Sequence, residues 1–223
     1  MSERRNSFWI SSGGFDGIIA PIVAFVLIGL AVATYSQFSW TNNALSDLGI
    51  VPGITSSLFN FGLIVSGVLS LHFAIGLYQF LDKHIVGKFG AVIFAGAGLS
   101  LGAIGWTPEN IRPFHYIFSV MFFSLVPISL LVIASYFFIT RQRKFAAFTF
   151  LIAVLAAAPW VLYFLVQYVP GVAIPELLSA LAGSAWIIVV GLRMLKLGLK
   201  MQKTITPRKF LIPTVVFVKN PPL

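Results

Sequence analysis

Six apolar runs, each long enough to cross a bilayer, leave this chain few ways to fold. They cover residues 17–35, 54–80, 87–106, 114–139, 145–169 and 174–195. Bilayer hydrocarbon is about 30 Å thick, so a helix needs roughly 20 residues to cross it. Amides in hydrocarbon find no water, so each run must close its hydrogen bonds internally, as a helix. A barrel is excluded, because the runs lack alternation of apolar and polar residues and are about twice the length of a barrel strand. The predicted fold is all-α, a polytopic membrane bundle of six transmembrane helices. Only 9% of the 223 residues are charged, against about 25% in a soluble domain. No large water-soluble domain fits beside the spans.

Net charge is +9. Fourteen of the fifteen Lys and Arg fall at the two ends or in alternate connections, and Arg112 alone belongs to the opposite set. The positive-inside rule therefore predicts both termini cytoplasmic and a multi-pass protein of the cytoplasmic membrane. On this reading the basic residues meet anionic lipid head groups at the cytoplasmic face. No nucleic-acid partner is expected, since neither a motif nor interleaved aromatics accompany the charge. The chain has no cysteine, which excludes disulfides and thiolate ligands. The polar stretch after Arg4 and Arg5 leads into a full-length span without a convincing cleavage site, so a retained first helix is expected. Residues 1–195 read as one six-helix transmembrane domain and 196–223 as a basic cytoplasmic tail. Segment 211–218, LIPTVVFV, is too short to span and would lie on the membrane surface or meet a partner. A membrane-protein partner or a second copy of the chain is compatible with such a tail.

In the third span Ala91, Ala95, Gly98, Gly102 and Gly105 recur at alternating spacings of four and three. One narrow face of small residues lets a neighbouring helix approach closely. Pro127 and Pro159 fall inside the fourth and fifth spans, where they are expected to kink them.

The polar residues gather on one side. Asp47, Glu109 and Glu176 occupy the three outer connections, one each. Ser56 with Asn60, His115 with Ser119 and Glu176 with Ser179 share helix faces three or four residues apart. The densest polar stretch is FSWTNNALSDLG, residues 38–49. Ala44, Leu45 and Leu48 predict a short helical turn at the interface, with Trp40 as its anchor. Asn42 and Asn43 are candidate caps, and Gly49, Pro52 and Gly53 end the turn. Its polar side is expected to face the bundle centre, in a cluster of Asp47, Asn60, Glu109, Arg112, His115 and Glu176.

TNNALSDLG, then FNFGLIVSGVLSL, then GWTPEN with a His six residues beyond its Glu, resembles the domain-of-unknown-function 998 family. The pattern covers about the first 140 residues, and SDLG is its most specific part. Trp106-Thr107 departs from the apolar or aromatic residue the family places before Pro-Glu. The resemblance implies a six-helix integral membrane protein of prokaryotic type, of no established activity. Its polar signature falls on Asp47, Asn60, Glu109 and His115.

Three functional readings follow from these residues. The first is a binding, scaffolding or accessory component built around the outer polar cluster. In the second, Asp47, Glu109, His115 and Glu176 form a metal site, a donor set suited to Mn, Fe or Zn, activating water against a lipid. No HExxH or paired-His spacing supports it, and no cofactor is legible. The third is transport of a small solute or ion, which wants ionisable groups near the midplane; His72, in the inner part of the second span, is the main one. Each residue also has a purely local role. Glu176 would favour the first turn of its own helix, and Asp47 would cap its turn or pair with Arg112. His115 would sit at the interface, Asn60 would bridge helices, and His72 would bond a backbone carbonyl or reach the interface. A serine hydrolase is disfavoured because no G-x-S-x-G elbow is present.

Overall fold

The computed structural model describes residues 2–205, and among them every regular element is helical. The helices are α1 (Ser2–Ala33), α2 (Ile54–Phe80), α3 (Ile85–Trp106), α4 (Phe114–Ile139), α5 (Arg143–Val166) and α6 (Ala173–Ile205), with a 3₁₀ turn at Ser46–Ile50 between α1 and α2. All six are long and apolar enough to cross a membrane. The chain is a multi-pass membrane protein.

Each helix packs against its neighbours in sequence, and α6 closes the ring against α1. An even number of crossings returns the chain to the side where it began. The beginning of α1 and the end of α6 therefore share a terminal face, and the 3₁₀ turn lies on the opposite, cap face. Aromatic side chains fill the core of the terminal half. Phe73, Phe94 and Trp186 meet ring against ring, with centroids 5.4 to 6.2 Å apart. The indole of Trp186 donates to Thr149 Oγ1 at 3.1 Å, which satisfies the one polar atom it buries. In the cap half, hydroxyls tie helices together: Ser66 donates to Ala20 O at 3.1 Å, and Ser179 to Ala156 O at 2.7 Å.

The small face of α3 is its seam with α2. A Cβ on Gly67 would come within 2.5 Å of Gly102 N, and one on Gly105 within 2.5 Å of Asn60 O. Gly98 faces Ser70, with 3.1 Å to its Cβ. Backbones can meet this closely only where at least one of the facing residues is glycine.

The first span begins earlier than hydropathy predicts. Helix α1 starts well before residue 17, and its apolar span runs from Asn6 to Ala33. Ser11 and Ser12 read as polar, yet their hydroxyls donate to Ser7 O and Phe8 O at 3.0 and 2.9 Å, one turn back. A serine satisfied in this way is no barrier to a membrane helix. At the other end α6 runs on to Ile205, so the 195/196 boundary falls inside a helix. Segment 211–218 lies outside the described residues.

Candidate functional site

The cap is a set of nested turns locked by side chains. Ser39 N donates to Asn43 Oδ1 at 2.9 Å, while Asn43 Nδ2 donates to Asp47 Oδ2 at 2.7 Å. Ala44 N donates to the same Asp47 oxygen at 3.0 Å. Asp47 thus caps the turn that precedes it, and the predicted turn forms as a 3₁₀ segment. Connection 167–172 then clasps the cap from outside: Gly171 N donates to Thr41 O at 2.7 Å and Ala173 N to Asn43 O at 2.9 Å. A Cβ at Gly171 would fall 2.5 Å from Asn43 O, so glycine is required at this contact.

Glu176 completes the clasp. Its Oε2 accepts from Leu45 N at 2.6 Å, and the residue is only 8% exposed. It stands in the first turn of its own helix, as its place after Pro175 suggests, but its hydrogen bond goes to the cap. It supplies the acceptor that a buried amide of the cap needs. Asn60 does the same for the end of the turn, donating from Nδ2 to Gly49 O at 2.9 Å. His115, also buried, donates from Nδ1 to Thr107 O at 2.7 Å and fixes the α3–α4 connection.

Glu109 joins that connection to the cap. Ser46 Oγ donates to Glu109 Oε2 at 3.4 Å, and Arg112 lies 3.6 Å from Glu109 Oε1. Arg112 is largely exposed and pairs with Glu109, three residues earlier, instead of Asp47. Burial, followed by the hydrogen bond and charge of Asp47, pushes the Glu109 carboxyl above its ordinary value of 4.5, with His115 and Arg112 opposing.

Of the six predicted cluster residues, Glu109 alone reaches two others, interacting with Asp47 and pairing with Arg112. Glu176 and Asn60 bind the cap through its backbone, and His115 holds the neighbouring α3–α4 connection. They converge on a polypeptide segment and not on a point. Among the described residues no group of three or more His, Cys, Asp and Glu is placed to hold a metal ion. Within the set Asp47, Glu109, His115 and Glu176, the oxygens and the ring nitrogen named above are engaged by chain groups.

The face of the cap that enters the ring carries leucines beside Ser46, where the sequence predicts a polar face. Leu45 and Leu48 are 6% and 0% exposed and enter the ring against Phe59, Leu63, Ile104 and Ala173. An i,i+3 leucine pair inside a polar segment was the available signal, since both lie on one face of a helical turn. Beneath them lies a feature the sequence did not reveal, a cavity of about 110 Å³ at the centre of the ring. Leu45, Ser46 and Glu176 belong to its lining, which reaches down to Ser70, Phe94 and Ile187. Glu176 is its single ionisable side chain among the described residues.

His72 lies elsewhere, in the terminal half, and is not part of that lining. Its Nδ1 bonds Asp16 Oδ2, and its Nε2 lies 3.3 Å from Ser12 Oγ. Neither a backbone carbonyl nor the interface satisfies it, because α1 starts early enough to bring both partners alongside.

A family model described as protein of unknown function (DUF998) matches residues 18–193. The chain belongs to the DUF998 family. No curated protein and no solved structure matches it.

Proposed function

We propose that this DUF998 protein binds a small amphipathic ligand in the cap-side half of the bilayer, with segment 38–49 as its lid. The observation that carries the reading is the central cavity, apolar along its walls and roofed by Leu45, Ser46 and Glu176. An apolar cavity of about 150 Å³ takes up a benzene-sized molecule. A space of about 110 Å³ therefore suits a short alkyl segment. The head group would be a hydroxyl or amine, donating to a carboxyl oxygen of Glu176 or to the serines beside it. The packed aromatics of the terminal half favour a binding pocket over a passage. The asymmetry of Lys and Arg supports a cap face directed out of the cytoplasm, in the cytoplasmic membrane.

The test is photo-crosslinking with an alkyl amine that carries a diazirine at its tail, on protein in mild detergent. Crosslinks should map by peptide mass spectrometry to cavity residues such as Phe122 and Ile187. Ala180→Phe, which fills the cavity, should abolish them, and Glu176→Gln should weaken them. Crosslinks confined to lipid-facing residues such as Phe164 and Leu165 would reject the reading.

A further inference from the structure

Helices α1 and α2 cross closely in the terminal half, where a Cβ on Gly13 would lie 3.0 Å from both Gly76 Cα and His72 O. The crossing assembles three polar side chains unconnected with the cap. Ser12 and Asp16 are one helical turn apart on the same face of α1, and His72 of α2 reaches both. Its Nδ1 faces Asp16 Oδ2 and its Nε2 faces Ser12 Oγ, at 3.3 Å. With the imidazole neutral, Nδ1–H donates to Asp16 and leaves Nε2 as an acceptor toward the Ser12 hydroxyl. The Trp9 ring stands edge-on to His72, 5.5 Å between centroids, and limits its rotation. The His72 and Asp16 side chains are 29% and 18% exposed, so the group is open to a molecule alongside.

Depth identifies that molecule. The 28-residue span Asn6–Ala33 is about 42 Å long at 1.5 Å per residue, matching the roughly 40–45 Å of a bilayer with its head-group regions. Ser12 stands six residues inside it, about 9 Å along the helix. That is within a few ångströms of the hydrocarbon boundary, where the ester groups of glycerolipids lie.

We propose that Ser12 and His72 are a nucleophile and its general base for acyl transfer from a glycerolipid ester in the leaflet at the terminal face, with Asp16 as the positioning residue. Such constellations are recognised by geometry and roles, not by a sequence elbow. The resting Ser12 hydroxyl donates to Phe8 O at 2.9 Å and turns from there toward Nε2. Ser12 Oγ adds to the ester carbonyl carbon as its proton passes to His72 Nε2. The adduct collapses with cleavage of the carbon–oxygen bond to glycerol, and the departing alkoxide takes that proton. Water, deprotonated by the same nitrogen, adds to the acyl-Ser12 carbonyl. The bond to Oγ then breaks, Oγ regains the proton, and a free fatty acid leaves. No electron donor or acceptor is needed.

Two experiments on the full chain in nanodiscs test this. An alkyl fluorophosphonate should label the wild type at Ser12, and Ser12→Ala should remain unlabelled. His72→Gln should react at least about a hundredfold more slowly, the lower end of what a general base contributes. The second uses Ser12→Cys, which places a lone thiol in a chain without cysteine. An ordinary thiol, with a pKa near 8.5, is only a few per cent thiolate at pH 7. Iodoacetamide at pH 7 should therefore alkylate Ser12→Cys about tenfold faster than the double variants with His72→Gln or Asp16→Asn. At pH 10, where every thiol ionises, the three rates should converge, as changed accessibility alone would not allow. A monodisperse wild type that is not labelled at Ser12 overturns the proposal. So does an alkylation rate of Ser12→Cys at pH 7 that is indifferent to His72→Gln.

Discussion

Alanine at Gly67 tests the closeness of the α2–α3 seam on which the helix ring depends. The added Cβ would lie 2.5 Å from Gly102 N, 2.6 Å from Gly102 Cα and 2.9 Å from Gly98 O. The first contact is 0.9 Å short of the 3.4 Å at which ordinary van der Waals contact begins. All three atoms are backbone, so no side chain can rotate away and the two helices must separate. Inserting a methyl into a packed interior costs about 1–3 kcal/mol. Widening a seam by up to about 1 Å also forfeits a quarter to a half of each contact's attraction. Gly67→Ala should therefore sit at the upper end, about 2–3 kcal/mol less stable than wild type. At about 1.4 kcal/mol per decade, that is thirtyfold or more in the unfolding constant. Gly29→Ala is the matched control, since its Cβ would meet nothing within 4 Å. Its effect should stay within about 1 kcal/mol, the scale of backbone propensity alone. Titration with sodium dodecyl sulfate in mixed micelles, followed by tryptophan fluorescence, reads both variants. Equal midpoints for the two alanines would refute the seam as drawn.

Two further outcomes follow from the cap. Because burial raises the Glu109 carboxyl above its ordinary value, the folded state binds its proton more tightly than the unfolded state. Its contribution is fully present below the ordinary carboxylate value and is lost as pH rises through the folded one. Between pH 4 and 8 the wild type should thus lose stability relative to Glu109→Gln, and a difference that runs the other way would contradict the burial of Glu109. Asn43→Ala removes the acceptor for Ser39 N and the donor to Asp47, each bond being worth about 0.5–1.5 kcal/mol net. Amide hydrogen exchange at Ala44 and Leu45 should accelerate about tenfold or more, with α2 and α3 unchanged; uniform acceleration would mean that the cap has no stability of its own.

What the sequence revealed here depends on what membrane physics makes visible. Span number and helical state follow from the absence of water in hydrocarbon, and five of the six spans begin within a few residues of their hydropathy limits. The first does not, because hydropathy scores Ser11 and Ser12 as though their hydroxyls were exposed. The small face of α3 was readable because a close helix contact admits little besides Gly, Ala and Ser. Directions were not readable. Glu176 follows a proline at a helix start, the usual signature of a residue serving its own helix, but it bonds an amide 131 positions away in the sequence. The meeting of Ser12, Asp16 and His72 likewise depends on where α1 crosses α2, which no periodicity within either helix encodes.

The polarity of FSWTNNALSDLG follows from where the segment sits. A loop that plugs the mouth of a helix ring removes its own amides from water without the ladder a helix provides, and each lost partner costs about 1–3 kcal/mol. Its leucines can enter the ring only if those amides find acceptors. Asn43 and Asp47 supply them from within the segment, at Ser39 N and Ala44 N. Glu176 supplies one from α6, at Leu45 N. Carbonyls of the same segment, at Thr41 and Asn43, receive Gly171 N and Ala173 N in return. The polar side chains are thus the condition for burying Leu45 and Leu48. Since Glu176 both holds the lid and lines the cavity, a ligand that competes for its carboxyl oxygen would loosen Leu45 as it binds. Entry of the ligand and opening of the lid would then be one event, visible as faster exchange of the Leu45 amide in the presence of an alkyl amine.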